Sequence, residues 1–273
     1  MKKTLLALGL AAAMPTFAAD YTDGDTHKND YKWMQANIMY AVDELPGESS
    51  HDYLELEFGG RAGILDYYGY ADVFDLTNSD SSDKSGAEKI FIKFAPRISL
   101  DGLTGTDLSF GPVQELYLAS LFNWGGGGAT VCNDDYSTCL DSTTVNNSFW
   151  GLGSDINVPW LGKVGFNVYG LYDLNNKDWN GYQVSTNWFK PFYFFENGSF
   201  ISYQGYIDYQ FGLKDEYSSA SNGGVMFNGI YWHSDRFSVG YGLKAFQDVY
   251  GIEDSSGFKS SGFSHYFAAT YKF

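Results

Sequence analysis

A two-residue alternation constrains this chain more than any other feature. From residue 31 onward, apolar side chains recur at every second position in segments of about ten residues, separated by breaks rich in Gly, Asn, Asp and Ser. A period of two sends successive side chains to opposite faces of a strand, whereas a helix repeats every 3.6 residues. In 53–58, Leu54, Leu56 and Phe58 share one face, and Tyr53, Glu55 and Glu57 the other. In 90–98, Ile90, Ile92, Phe94, Pro96 and Ile98 oppose Phe91, Lys93 and Arg97. The same split separates Val164, Phe166, Val168 and Tyr172 from Asn167, Tyr169 and Asp173, and Ile201, Tyr203, Ile207, Tyr209 and Phe211 from Ser202, Gln204, Asp208 and Gln210.

The alternation predicts twelve strands, near 31–40, 52–61, 64–75, 89–98, 112–122, 149–158, 163–174, 180–190, 199–211, 224–233, 236–247 and 262–273. Breaks near 62–63, 159–162 and 234–235 are short. Those at 41–51, 76–88, 123–148, 212–223 and 248–261 are longer and polar, and 99–111 and 191–198 are longer than a tight turn needs. An up-and-down meander with one end trimmed and the other elaborated accounts for most of this pattern. No domain boundary interrupts it.

Composition narrows the choice. With 22 Tyr, 22 Phe, 7 Trp and 32 Gly but only 18% charged residues, the chain trades charge for rings and glycine, a strand-forming profile. Beyond the first residues no stretch approaches the ~18 apolar residues of a spanning helix, and the mean hydropathy is −0.27. The formal charge of −16, with no Lys/Arg run, excludes a basic nucleic-acid footprint. An apolar content of 44% excludes intrinsic disorder.

Residues 1–18 read as a signal peptide: a basic start (Lys2, Lys3), an apolar stretch from Leu5 to Met14, the Pro15 break, and cleavage after Ala18. Loss of Lys2 and Lys3 takes the formal charge of the 19–273 domain to −18. Cys132 and Cys139 are the only cysteines and lie seven apart in a polar, Gly-rich stretch. A disulfide closing a small loop is the favoured reading in an exported chain, with metal binding or free thiols as alternatives; two cysteines are too few for a structural zinc site.

Alternation alone fits a soluble sandwich, such as a secreted lectin, or an outer-membrane barrel. Three features favour the barrel. Segments of ten or more residues suit a tilted membrane crossing, whereas globular strands run to about five or six. Rings gather at segment ends, at Trp150, Trp160, Trp179, Trp188 and Phe192 to Phe195, as in an interfacial girdle. The last strand ends on Phe273 with Tyr271, Ala269 and Phe267 on one face, resembling the terminal assembly signal of bacterial outer-membrane barrels. The expected fold is therefore all-β, a transmembrane antiparallel up-and-down β-barrel of about twelve strands.

Such a barrel leaves a narrow bore, between the filled interior of about eight strands and the wide channel of sixteen to eighteen. The alternation assigns to its lining Glu55, Glu57, Asp66, Tyr68, Asp72, Phe91, Lys93, Arg97, Glu115, Asp155, Tyr169, Tyr206 and Asp208, with Asn157, Asn167, Asp173, Gln183, Asn187, Gln204 and Lys244. Buried charges need partners, so Lys93 and Arg97 are expected to pair with Glu55 and Glu57. Rings and amides can stack on a flat base and bond the hydroxyls of a small polar solute. An acidic lumen tolerates a neutral solute better than an anion.

Several blocks carry a family resemblance: TGTDLSFGPVQELYLA (104–119), DYYGYADVF (66–74), GLGSDI (151–156) and DWNGY (178–182). They resemble the nucleoside-specific channel-forming porins of the Tsx family. HKNDYKWMQ, LPGESSHDYLE, FISYQGYIDYQF and FNGIYWHSDR are similar to the OmpK-type outer-membrane proteins of vibrios within it. The resemblance covers nearly the whole chain after the signal peptide. It implies a monomeric twelve-stranded barrel among outer-membrane lipids, a narrow pore passing nucleosides, and surface loops that can dock bacteriophages. It also implies an aromatic near the first outer loop to hold the base, yet 41–52 contains none, and the segment 123–148 is longer than the family pattern.

Catalysis finds little support. Glu55 and Glu57 lie about 7 Å apart on one strand face, within glycosidase spacing, but nothing else builds a sugar cleft. His27, His51, His233 and His265 accompany no H-E-x-x-H or G-x-S-x-G motif, and His233 beside Asp235 reads as part of a hydrated turn. No cofactor or metal is called for.

Overall fold

Twelve antiparallel strands follow one another around a closed ring: β1 (Tyr31–Glu44), β2 (Ser49–Ala62), β3 (Leu65–Phe74), β4 (Ile90–Ser99), β5 (Val113–Gly126), β8 (Asn146–Val158), β9 (Gly162–Asp173), β10 (Asp178–Phe194), β11 (Phe200–Phe211), β12 (Asn222–His233), β13 (Phe237–Gln247) and β14 (Gly262–Lys272). Between β5 and β8 the chain makes a separate ribbon of β6 (Thr130–Cys132) and β7 (Cys139–Asp141). This computed structural model describes residues 20–273 apart from 78, 129, 133–138 and 142–143, and only the backbone of 130–132 and 139–141. The signal peptide and its cleavage site lie outside the described residues.

Each barrel strand pairs with the next barrel strand along the chain, and β14 pairs with β1 over Gln35↔Lys272 to Val42↔His265 to close the ring. No barrel strand is left with a free edge, so backbone groups can be satisfied within the membrane. The alternation thus finds all twelve strands within a few residues at each end.

Turns at the end bearing the termini are short, at 63–64, 159–161, 195–199 and 234–236. The exception, 100–112, contains the helix α1 (Leu100–Thr104). Its N-cap Ser99 accepts from the Gly102 amide, and buried Asp101 accepts from the amides of Leu108 and Leu116. The connection is longer than a hairpin because it folds into its own capped unit. One expected outer loop contracts. The segment 41–51 is only a four-residue turn, 45–48, because β1 runs on through a bulge between Ala41 and Glu44. The β9/β10 connection is also a four-residue turn, 174–177, closed by Asn176 donating to Asp173.

Residues directly opposite in an antiparallel ladder share a face, so the register sorts every side chain. One face carries exposed Ile38, Leu56, Leu118, Leu152, Ile230, Val239 and Phe267 all around the ring. An apolar belt this continuous belongs in lipid rather than water. Trp150, Trp160, Trp179 and Phe192 to Phe195 are exposed at its margins. Trp188 differs from the girdle expected of it: it lies flat over Gly205 and is largely covered.

Candidate functional site

The opposite face is the inside. Lys93 on β4 and Asp208 on β11 stand five places apart around the ring, yet their Nζ and Oδ2 are 2.9 Å apart. Twelve strands about 4.8 Å apart and tilted by about 40° would close a circular barrel about 24 Å across. A lysine and an aspartate cannot bridge that span. The barrel is therefore flattened at this level, with β4 and β11 on facing walls and one ion pair crossing the bore. Lys93 also lies 5.4 Å from the centre of the Tyr206 ring, which stacks on Phe227.

Nearer the end with the termini, a denser network spans six strands. Arg61 forms a bidentate pair with Glu115, at 2.8 and 2.6 Å, and both side chains are nearly buried. Ser99 and Tyr117 also donate to Glu115. Arg97 binds Asp66 at 2.8 Å and Asp155 at 2.9 Å, while its guanidinium lies 4.0 Å from the Tyr117 ring centre. Lys163 completes the set on Asp155 at 2.9 Å. Below it, Tyr21 is buried with its ring 5.1 Å from the Arg61 guanidinium, so the segment before β1 covers this mouth.

Towards the long-loop end, Glu44 gathers His51 at 3.2 Å, Lys244 at 3.5 Å, Lys84 at 3.7 Å and the Tyr266 hydroxyl at 2.7 Å. Between the two ends, aromatic residues form a lining of Tyr53, Phe74, Phe227, Tyr231 and Tyr266, with Phe91 and Tyr206 against them. The rings lie against the wall because of what is beneath them. A Cβ at Gly242 would fall 2.1 Å from Phe227, and one at Gly240 would fall 2.1 Å from Tyr231. Two glycines on β13 thereby hold open space that rings would otherwise fill.

The register puts the twenty residues assigned to the lining from sequence on this inner face, but it changes the partners of the charged ones. Lys93 and Arg97 do not pair with Glu55 and Glu57. Glu55 instead faces Asp72 across the β2/β3 ladder and accepts from Asn37 at 2.5 Å, while Glu57 accepts from Gln35 at 2.5 Å and from Tyr68 at 2.8 Å. Flattening brings Asp208 within reach of Lys93, and Asp66 lies directly opposite Arg97. His233 is another correction: it ends β12, is buried, stacks on Phe200 with centroids 4.6 Å apart and lies 2.8 Å from Ser202 Oγ. Sequence reasoning also missed Arg61, Glu44, Asn37 and Tyr117. Arg61 falls on the alternating face of Glu55 and Glu57 and was legible there. Glu44 lies past the bulge that ends the simple alternation.

An apolar outer belt, a closed twelve-strand ring and a polar, charge-paired lumen define an outer-membrane β-barrel channel. Residues 28–273 match the family model described as "Nucleoside-specific channel-forming protein, Tsx", and the chain belongs to that family. It is 70% identical over 275 residues, covering both chains completely, to the outer membrane protein OmpK of Vibrio parahaemolyticus serotype O3:K6. It is 31% identical to the nucleoside-specific channel-forming protein Tsx of Salmonella typhimurium, over 81% of this chain and 79% of the other, and 32% identical to that of Escherichia coli O157:H7, over 82% and 77%.

Proposed function

We propose that the protein is a monomeric, diffusion-driven outer-membrane channel for nucleosides and similarly small polar solutes. The observation that carries this reading is the cross-lumen Lys93–Asp208 pair, set against the stacked Tyr206 and Phe227 rings at a level where the bore is flattened. A slot rather than a round pore admits a flat base. Rings favour stacking on it, and the charged and amide groups around them offer bonds to ribose hydroxyls. Glu55, Glu57, Asp66, Tyr68, Asp72, Phe91, Arg97, Glu115, Asp155 and Tyr169 would share the lining with these groups. Tyr53, buried on the inner face just past the first turn, supplies the ring that 41–52 lacks. Names of relatives that are nucleoside-specific channels support the same solute class. Proteoliposomes carrying the purified protein should take up adenosine and thymidine faster than a sugar of similar size; equal rates would refute nucleoside preference.

A second role concerns the long loops. The long connections that follow β3, β5, β11 and β13 leave the barrel at the end opposite the termini, the outer side of such barrels. We infer that they offer a docking surface for bacteriophage. Deleting 129–145 should abolish adsorption of a phage that uses this barrel and spare solute uptake.

A further inference from the structure

Among the described residues, most acidic groups deep in the lumen have a cationic partner, and those on one wall do not. Asp66, Glu115, Asp155 and Asp208 each have a lysine or arginine within 2.9 Å, and Glu44 holds Lys244 at 3.5 Å. Glu55, Glu57 and Asp72 have no cationic side chain within 4.0 Å among the described residues. They stand on adjoining inward positions of β2 and β3, with Glu55 directly opposite Asp72. Like charges placed so repel.

Two buried acceptors are also unsatisfied, one beside the carboxylates and one among them. Asn37, 4% exposed, is aimed into the cluster: its Nδ2 donates to Glu55 and, at 3.2 Å, to Glu57, while its Oδ1 has no partner. Asp72 Oδ1, on a side chain 7% exposed, also has none. Rings surround the group. Tyr53 is two residues from Glu55 on the same face, Tyr70 lies opposite Glu57, and Tyr231 belongs to the same buried cluster as Tyr53. Among the described residues no set of three acidic or imidazole groups is close enough to ligate one metal ion. Carboxylates spread among tyrosine rings instead match an ammonium group, which takes hydrogen-bond acceptors on one side and π-faces on another.

We propose that this wall is a binding station for small monovalent organic cations, a protonated amine held by Glu55, Glu57 and Asp72 among Tyr53, Tyr70 and Tyr231. The channel then passes such cations in preference to anions, a cargo separate from neutral nucleosides. Where they are ionised, carboxylates gathered in a low-dielectric slot concentrate their counter-ions.

The test uses the purified full-length barrel in planar bilayers under a KCl gradient, then with ethylammonium chloride added. The reversal potential should show K⁺ favoured over Cl⁻, and ethylammonium should reduce the K⁺ current saturably. The double variant E55Q/D72N should lower the K⁺/Cl⁻ permeability ratio by about tenfold and remove the ethylammonium effect. Heat-modifiable migration checks that the variant is folded; should it not be, Glu55→Gln alone is read in the same way. A wild-type channel without cation preference across the neutral pH range, meaning that the carboxylates hold protons, would overturn the proposal. So would unchanged selectivity in a folded variant. Absence of an adenosine response in the wild-type channel, with the cation preference and ethylammonium effect present, would count against the nucleoside reading and leave this one standing.

Discussion

Lys93 on β4 meets Asp208 on β11 across the bore, 115 residues away in sequence and five strands away around the ring. This contact fixes how wide the channel can be at mid-depth. Each side chain retains some exposure, 17% and 18%, so water screens the pair and its worth to stability is small, about 1 kcal/mol. Its main effect is geometric. Lys93→Met should raise single-channel conductance and leave the urea midpoint nearly unchanged, and Lys93→Arg should keep conductance close to wild type. Equal conductance in all three would mean that the pair does not limit the bore.

The Arg61–Glu115 pair differs because both partners are nearly buried. Removing one leaves the other charge unpaired, a loss of about 3–5 kcal/mol. Arg61→Ala and Glu115→Gln should each lower unfolding stability in detergent by such an amount. The double replacement R61M/E115L should cost clearly less than the sum of the singles.

Sequence and structure agree most where alternation is uninterrupted. Leu54, Leu56 and Phe58 face outward and Glu55 and Glu57 inward because a period of two leaves no other choice once one face meets lipid. Agreement fails where backbone geometry breaks the period. Asp43 and Glu48 adopt positive φ of 53° around the first turn, and the adjoining bulge carries β1 on to Glu44, hiding that residue from a simple count. Pairing was harder to read than facing. Asp66 opposite Arg97 follows from local register, but Asp208 beside Lys93 depends on the flattening of the whole barrel, which no short stretch encodes.

Glycines on β13 offer a second test of bore shape. Gly242→Ala would place a Cβ 2.1 Å from Phe227, forcing that ring off the wall. Overpacking of this kind costs about 1–3 kcal/mol, and the displaced ring should narrow the slot. Conductance is expected to fall while β-sheet circular dichroism stays the same.

Glu88, in the loop 75–89, is half-buried with Oε1 unpartnered, and burial pushes its carboxyl up to about 7 despite nearby Lys84. The folded loop thus holds a proton that the unfolded loop releases near the ordinary glutamate value of 4.5. Its packing should weaken as pH rises from there through about 7 and level off above. Amide exchange over 84–89, corrected for intrinsic rates, should accelerate across that window, and Glu88→Gln should flatten the dependence.

Cys132 and Cys139 lie opposite each other in the β6/β7 ladder, and their side chains lie outside the described residues. Opposed positions in such a ladder bring Cα atoms to about 4.5–5.5 Å, inside the range a disulfide spans. The protein isolated from membranes without reductant should be lighter than the reduced form by the two thiol hydrogens and resist alkylation. Replacing both with Ser should change phage adsorption before solute uptake.

The most direct test of a slot-shaped channel for nucleosides is single-channel current in planar bilayers titrated with adenosine. The current should fall saturably with adenosine and far less with a size-matched sugar, and Lys93→Met should weaken the block. Adenosine and sugar acting alike, with no saturation, would contradict the account.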